Sequence, residues 1–482
     1  MVMLTSAYSS HPVFAALGDE YSDRVEPADF PMANLRYWNG DWAHAVGLGA
    51  LSDADKARFF HRFEALPDNQ DGPRALRYHG HQFRVYNPQI GDGRGFLYAQ
   101  LKDEVGRLLD LGTKGSGQTP YSRQGDGRLT LKGAVREILA TEMLEALGVY
   151  TSKTFAVFET GEALHRGDEP SPTRSAVLTR LQHSHVRFGM FQRHAYFDRP
   201  DLIEGLMNYA IAHFYPEITV EGPARACAFL ERVCAASARL AAQWMAAGFV
   251  HGVLNTDNLV VTGESFDYGP WRFLPHFEPG FTAAYFDESG LYAYARQPEA
   301  VFWALQQLAG ALSLIGAREG LIGALQTYPE MYKREVAQAF HTRLGVNPLG
   351  DASDSALVSH MLDFMRESQI PFEAMFFDWF GGALSQARAM AGPRAGLYQG
   401  EAFEAFHEAL LARDSERPAR LDHSYFQREN PVAMTIDVVE GLWAPIHERD
   451  DWSAYEGVLH AIAQARAGYD LGSGRVGFRG EG

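Results

Sequence analysis

Apolar positions along the chain fall into two rhythms. Between about residues 83 and 181, short runs alternate or stay continuously apolar, as strands do; beyond about residue 202 they recur three and four apart, as helices do. Residues 83–86, 95–101 and 107–113 predict strands, the third ending at Lys114. A loop, Asn87-Pro88-Gln89-Ile90-Gly91-Asp92-Gly93-Arg94, joins the first two, and a tight turn at 103–106 joins the next. Residues 131–147 place Leu131, Val135, Ile138, Leu139, Met143 and Leu147 on one helical face, with Gly148 as the stop. Two further strands are predicted at 154–158 and 176–181. A long helix follows at 223–247, closed by Gly248, and more helices at 299–315, 333–344, 355–368, 403–412 and 452–467. Ahead of the strands, 51–66 has helical spacing and 67–73 is rich in turn residues.

Three strands, one helix, two strands and then a large helical part is the order of a protein kinase. The expected fold class is therefore α+β: a protein-kinase-like two-lobed fold with a small β-rich N-lobe carrying one key helix, and a large, mainly helical C-lobe. The expected division is an N-terminal extension at 1–77, an N-lobe at 78–185, a C-lobe at 186–400 and a C-terminal helical extension at 401–482.

The 482 residues, 46% of them hydrophobic, suffice for a large core, and no apolar run approaches the roughly 18 residues of a membrane span. A net charge of −17 argues against general affinity for nucleic acid. Residues 1–20 carry no Lys or Arg, which fits neither a secretory nor a transit leader. Cys227 and Cys234, the two cysteines, read as buried apolar side chains in a reducing compartment. A cytoplasmic protein with no membrane partner is expected.

Phosphoryl chemistry needs backbone amides near phosphate, a positioned cation and oxygen ligands for a metal. Gly91-Asp92-Gly93-Arg94-Gly95 supplies small residues beside a strand, and no Walker A pattern occurs. Lys114 ends the third strand, and Glu137 follows 23 residues later in the helix, as in the lysine–glutamate pair of kinases. His251-Gly252-Val253-Leu254-Asn255-Thr256-Asp257-Asn258 and Asp267-Tyr268-Gly269 keep the register of a kinase catalytic loop and its metal-binding turn. Val253 stands where the catalytic aspartate belongs and cannot accept a proton; Asp257 is the nearest carboxylate to replace it. Arg180 and Arg187 flank a hinge-like stretch, and His183 and His185 lack a third ligand that would make a metal site.

These strings, together with Tyr78-His79-Gly80-His81-Gln82-Phe83, Thr119-Pro120-Tyr121-Ser122-Arg123-Gln124-Gly125-Asp126-Gly127-Arg128, Arg136-Glu137 and Arg296-Gln297-Pro298, resemble the selenoprotein O family of kinase-fold protein adenylyltransferases over about residues 78–300. The resemblance implies a nucleotidyltransferase that binds ATP inverted, γ-phosphate buried, and moves AMP to Ser, Thr or Tyr hydroxyls of proteins, releasing pyrophosphate. It implies nucleotide contacts from Gly91, Gly93, Arg94, Lys114, Asp126, Gly127, Arg180, Arg187 and Asp267. Glu137 would orient Lys114, Asn258 and Asp267 would hold Mg²⁺ or Mn²⁺, and Asp257 would accept the proton. UTP is a possible second nucleotide.

The chain also departs from that family. Members often end in a tail bearing cysteine or selenocysteine, whereas this one ends Val476-Gly477-Phe478-Arg479-Gly480-Glu481-Gly482. Asn430-Pro431 is kept, but Thr435-Ile436 replaces the usual Arg-Asn. Two other readings stay open: a non-catalytic, nucleotide-binding pseudokinase scaffold, favoured by Val253, and a small-molecule kinase using Asp257.

Overall fold

Every residue of the strand Leu108–Lys114 is buried, so the sheet containing it must be covered on both faces. In the computed structural model, which describes residues 4–167 and 169–472, that sheet has nine strands. Its main path runs Ser22–Arg24, Arg74–Leu76, Leu97–Lys102, Leu108–Lys114, Thr173–Gln182, Lys153–Leu164, Asn34–Trp38; Ser9–Ser10 pairs with Leu97–Lys102 and Leu129–Thr130 with Thr173–Gln182. The pairings are antiparallel.

On one face, Leu97, Leu108, Val157 and Leu178 pack with Val135, Ile138 and Leu139 of the helix Leu131–Ala146, in a core that continues into the helical bulk. On the other, Tyr98, Leu109, Leu111, Phe155 and Val177 meet Trp42, Phe59, Phe60 and Phe63 from residues 40–63. The N-terminal residues thus form part of the sheet and also seal it. A separate core, around Phe340, Met361, Phe376, Trp379 and Phe406, joins helices Tyr328–Leu344, Asp351–Ser368, Phe372–Trp379 and Glu401–Leu411.

The mixed α+β content and most predicted helices are present. Pro223–Ala246 forms one long helix, and Gly248 follows at φ 61°, the left-handed turn that ends it. The strand expected at 83–86 is not one. Gly80–Gln82 and Val85–Asn87 pair as a separate hairpin, with its turn at Phe83 and Arg84, both at positive φ. The helix expected over 51–66 is limited to Asp53–Phe60. Ser52 caps its start by accepting the Asp55 N–H at 3.2 Å, and Phe63 at φ 55° leaves the helical region.

Cys234 is buried, its thiol pushed up to about 12 by burial, whereas Cys227 is only half-buried; both are free thiols. Among the described residues, no helix is long and apolar enough to cross a membrane. The terminal string 476–482 lies outside the described residues.

Candidate active site

Strand register sets the first two cations. Lys114 pairs with Leu178 and Gly112 with Arg180; residues two apart share a face, so Lys114 and Arg180 project to the same side. That side is covered by the helix Leu131–Ala146, started by Thr130, which accepts the Gly133 N–H at 3.1 Å. Glu137 of this helix places Oε2 2.6 Å from Lys114 Nζ and Oε1 3.4 Å from Arg180.

Asp267 closes the cluster from a turn. Its Oδ1 lies 3.3 Å from Lys114 and 3.6 Å from Arg180, and its Oδ2 accepts the Asn258 side-chain N–H at 3.0 Å. Its φ of 61° is a sparsely populated conformation for a residue other than glycine, of the kind held at functional sites. Burial alone would raise its carboxyl, but Lys114, Arg180, Arg187 and Arg94 together hold it well below the usual range. Asp267 is ionised.

Arg187 precedes the helix Phe188–Tyr196, donates to the Asp257 carbonyl at 2.8 Å and pairs with Asp92 at 3.2 Å. Its guanidinium lies 4.6 Å from the Tyr78 ring centre and 4.9 Å from that of Phe266. Nε and Nη1 of Arg180 and Nε of Arg187 are buried with no hydrogen-bond partner, a costly state unless an anion takes them up.

Asp257 sits on the short turn Thr256–Asn258. Its Oδ1 is buried without a hydrogen-bond partner. Burial pushes its carboxyl up to about 6 against the pull of Arg187. His251 Nε2 makes a 2.9 Å hydrogen bond with the Phe266 carbonyl, tying the loop to the residue before Asp267.

These groups open into a cleft of about 690 Å³ lined by Gly91, Gly93, Arg94, Lys114, Asp126, Gly127, Arg180, Arg187, Asp257 and Asp267, among others. Every residue expected to touch nucleotide is in that lining, while Glu137 and Asn258 stand just behind it. The glycines have a packing role that the sequence did not disclose. A Cβ on Gly91 would fall 2.4 Å from the Tyr121 ring, one on Gly93 2.9 Å from the Tyr121 carbonyl, and one on Gly95 2.1 Å from the Thr113 carbonyl. Gly91 and Gly93 let the 115–128 segment close over the loop, and Gly95 lets the loop's end lie against the strand that carries Lys114. Asp126 stands at the outer rim, holding Arg166 through bonds of 2.7 and 3.0 Å. A second cavity, of about 270 Å³ around Tyr150, His183 and Phe214, contains none of the expected nucleotide-binding residues.

Asp92, Tyr78, Phe266, Arg123, Arg128 and Arg166 belong to this region and were not singled out from sequence. For Asp92 a signal existed: it lies inside Gly91-Asp92-Gly93. His183 and His185 have local partners, the Tyr150 hydroxyl at 2.5 Å and the Asp110 carboxylate at 3.2 Å. Among the described residues no cluster of three His, Cys, Asp or Glu could hold a metal; Asn258 and Asp267 stand side by side, joined by the asparagine amide's hydrogen bond.

A family model described as "Protein adenylyltransferase SelO" matches residues 3–463. A "Protein nucleotidyltransferase YdiU" of Gloeobacter violaceus is 44% identical over 465 residues, covering 95% of each chain. Its namesake in Synechocystis is 44% identical over 94% of this chain and 97% of its own, and that of Azotobacter vinelandii 34% identical over 93% and 91%. The chain belongs to the SelO family of nucleotidyltransferases.

Proposed function

We propose that this chain transfers AMP from ATP to a hydroxyl of a protein, releasing pyrophosphate. The observation that carries the reading is the deep cationic group Lys114, Arg180 and Arg187, which lines a cleft that also holds Asp257. Cations that deep suit the β- and γ-phosphates of an inverted ATP, leaving the α-phosphate toward Asp257. The acceptor oxygen attacks the α-phosphorus, the bond from that phosphorus to the bridging oxygen breaks, and the electron pair leaves with pyrophosphate. Lys114, Arg180 and Arg187 stabilise that growing charge. The proton of the acceptor hydroxyl passes to Asp257, because Val253 offers no base.

Asn258 and Asp267 fit a hard divalent cation: one ionised carboxylate and one amide oxygen, with substrate phosphates completing the shell, is how Mg²⁺ is commonly held. Bound there, Mg²⁺ or Mn²⁺ would neutralise phosphate charge. The same reading takes the sheet with its Glu137 helix, followed by helices, as a kinase-like two-lobed fold, centred on 78–185 and 186–400, with 1–77 and 401–482 packed upon them. Ser, Thr and Tyr are the acceptors, and UTP is a second candidate donor.

Incubating the protein and acceptor proteins with α-labelled or γ-labelled ATP tests this. Label is expected on protein from the α position only. Transfer of the γ label would instead mark a kinase. Val253 alone favours a binding-only scaffold, whose signature is metal-dependent ATP binding with neither label transferred.

A further inference from the structure

An adenylyltransferase must bring a protein hydroxyl to Asp257, and near that residue stand exposed apolar side chains. The hairpin 80–87 borders it: a Cβ on Gly80 would fall 2.8 Å from Asp257 Oδ1. Phe83, at the hairpin turn, donates its N–H to Asn255 Oδ1 at 3.0 Å, and the Tyr292 hydroxyl donates to the same oxygen at 2.9 Å. The Phe83 ring contacts those of Tyr292 and Phe286 at 5.0 and 5.8 Å, and Phe286 contacts Tyr285 at 5.1 Å. Tyr285 is 86% exposed, Val85 70% and Phe286 48%.

The ridge is held in place. Asp287 accepts the N–H groups of Leu291 and Tyr292, each at 2.8 Å. Ala283 packs so closely on Gly252, beside Val253, that a Cβ there would fall 2.9 Å away. Rings kept in water by a built scaffold mark a contact with another protein. Phe83 is hydrogen-bonded to Asn255, two residues before Asp257, so the ridge adjoins the proton acceptor, whereas the nucleotide cleft is lined mainly by polar and cationic groups.

We propose that Phe83, Tyr285 and Phe286 seat an apolar side chain of the acceptor polypeptide next to the hydroxyl that receives AMP, a proposal that rests on the adenylyl-transfer reading. Synthetic peptides carrying one tyrosine, serine or threonine, flanked by leucine or by aspartate, would be labelled with α-labelled ATP by the full chain. The leucine peptides are expected to be preferred. Tyr285→Ala with Phe286→Ala should raise their KM about tenfold or more, while the Kd for ATP stays within about twofold and the thermal midpoint is kept. An unchanged KM, or equal use of leucine and aspartate peptides, would overturn the docking proposal and leave adenylyl transfer standing. So would sedimentation showing a wild-type dimer that the double variant converts to monomer at unchanged KM, since the ridge would then be a self-interface. If α-labelled ATP labels acceptor proteins but none of the peptides, docking on this ridge falls and adenylyl transfer stands; if it labels neither, both fall.

Discussion

Removing the Arg180 guanidinium takes away two buried donors without hydrogen-bond partners and two ion pairs of 3.4 and 3.6 Å. Both pairs are buried and help hold Asp267 ionised, so they contribute to folding, and the same donors against phosphate would form charge-assisted bonds. Arg180→Ala is therefore expected to weaken ATP binding roughly 10- to 100-fold and to lower the nucleotide-free thermal midpoint by several degrees, on the order of 5 °C; calorimetric titration below that midpoint, beside a melting curve, checks both. Glu264 tests buried charge away from the cleft. It accepts the His183 N–H at 2.8 Å, and burial pushes its carboxyl from 4.5 up to about 7, opposed by Lys153 and Arg107 and aided by Asp110. A folded value above the unfolded one means a contribution fully present below about 4.5 and lost as pH rises through about 7. Glu264→Gln should be near neutral at about pH 5 and more stable than wild type by roughly 2–3 kcal/mol at about pH 8. Urea midpoints at both pH values would show it, and equal differences would sink the account. Lys114, Glu137, Asn258 and Asp267 were legible in sequence because each sits at a fixed spacing from a local signal. Asp92 was marked by its place in the glycine loop, but its pairing with Arg187, 95 residues away, was not, because no local pattern announces the meeting.

Helices and strands were legible where their burial pattern is their own. The helix Leu131–Ala146 declared itself by its apolar face, whereas Ile436–Arg449 did not, because Pro445 interrupts it. The hairpin at 80–87 was misread because its turn uses Phe83 and Arg84 in left-handed conformations, where glycine or asparagine would have signalled a turn. What orients the glutamate helix was also hidden. Arg466, from the helix Ser453–Tyr469, reaches Glu142 at 2.5 Å and Glu145 at 3.2 Å, both on that helix, and Glu142 also accepts the Tyr37 hydroxyl at 2.6 Å. The C-terminal helix thus clamps the element that aims Glu137 at Lys114. Arg466→Ala takes the cation from Glu142 and leaves Glu145 with Lys153 at 3.2 Å, a loss of about 2–3 kcal/mol for a pair between exposed and fully buried. It should lower kcat more than ATP affinity, and Arg466→Lys should recover part of both stability and kcat. An unchanged kcat in the alanine variant, with stability reduced, would show the clamp to be structural only.

The order of strands and helices was readable from local periodicity, but the contribution of the first 77 residues was not. Asn34–Trp38 pairs with residues 156–159 of Lys153–Leu164, a partnership between distant segments that leaves no trace in either one. Residues before 78 supply four of the sheet's nine strands: Ser9–Ser10, Ser22–Arg24, Asn34–Trp38 and Arg74–Leu76. They also supply Trp42, Phe59, Phe60 and Phe63, which seal Tyr98, Leu109, Leu111, Phe155 and Val177 from water. Each large apolar side chain left uncovered costs about 1.5–3 kcal/mol, and several together exceed the roughly 5–15 kcal/mol that holds a folded domain. The strand that carries Lys114 is covered by those side chains, so the phosphate-facing cluster depends on them too. A fragment of residues 78–482 is therefore expected to lose cooperative unfolding in urea, to bind a hydrophobic dye and to bind no ATP. A fragment that unfolded cooperatively and still bound ATP would show that residues 1–77 merely cover a sheet able to stand without them.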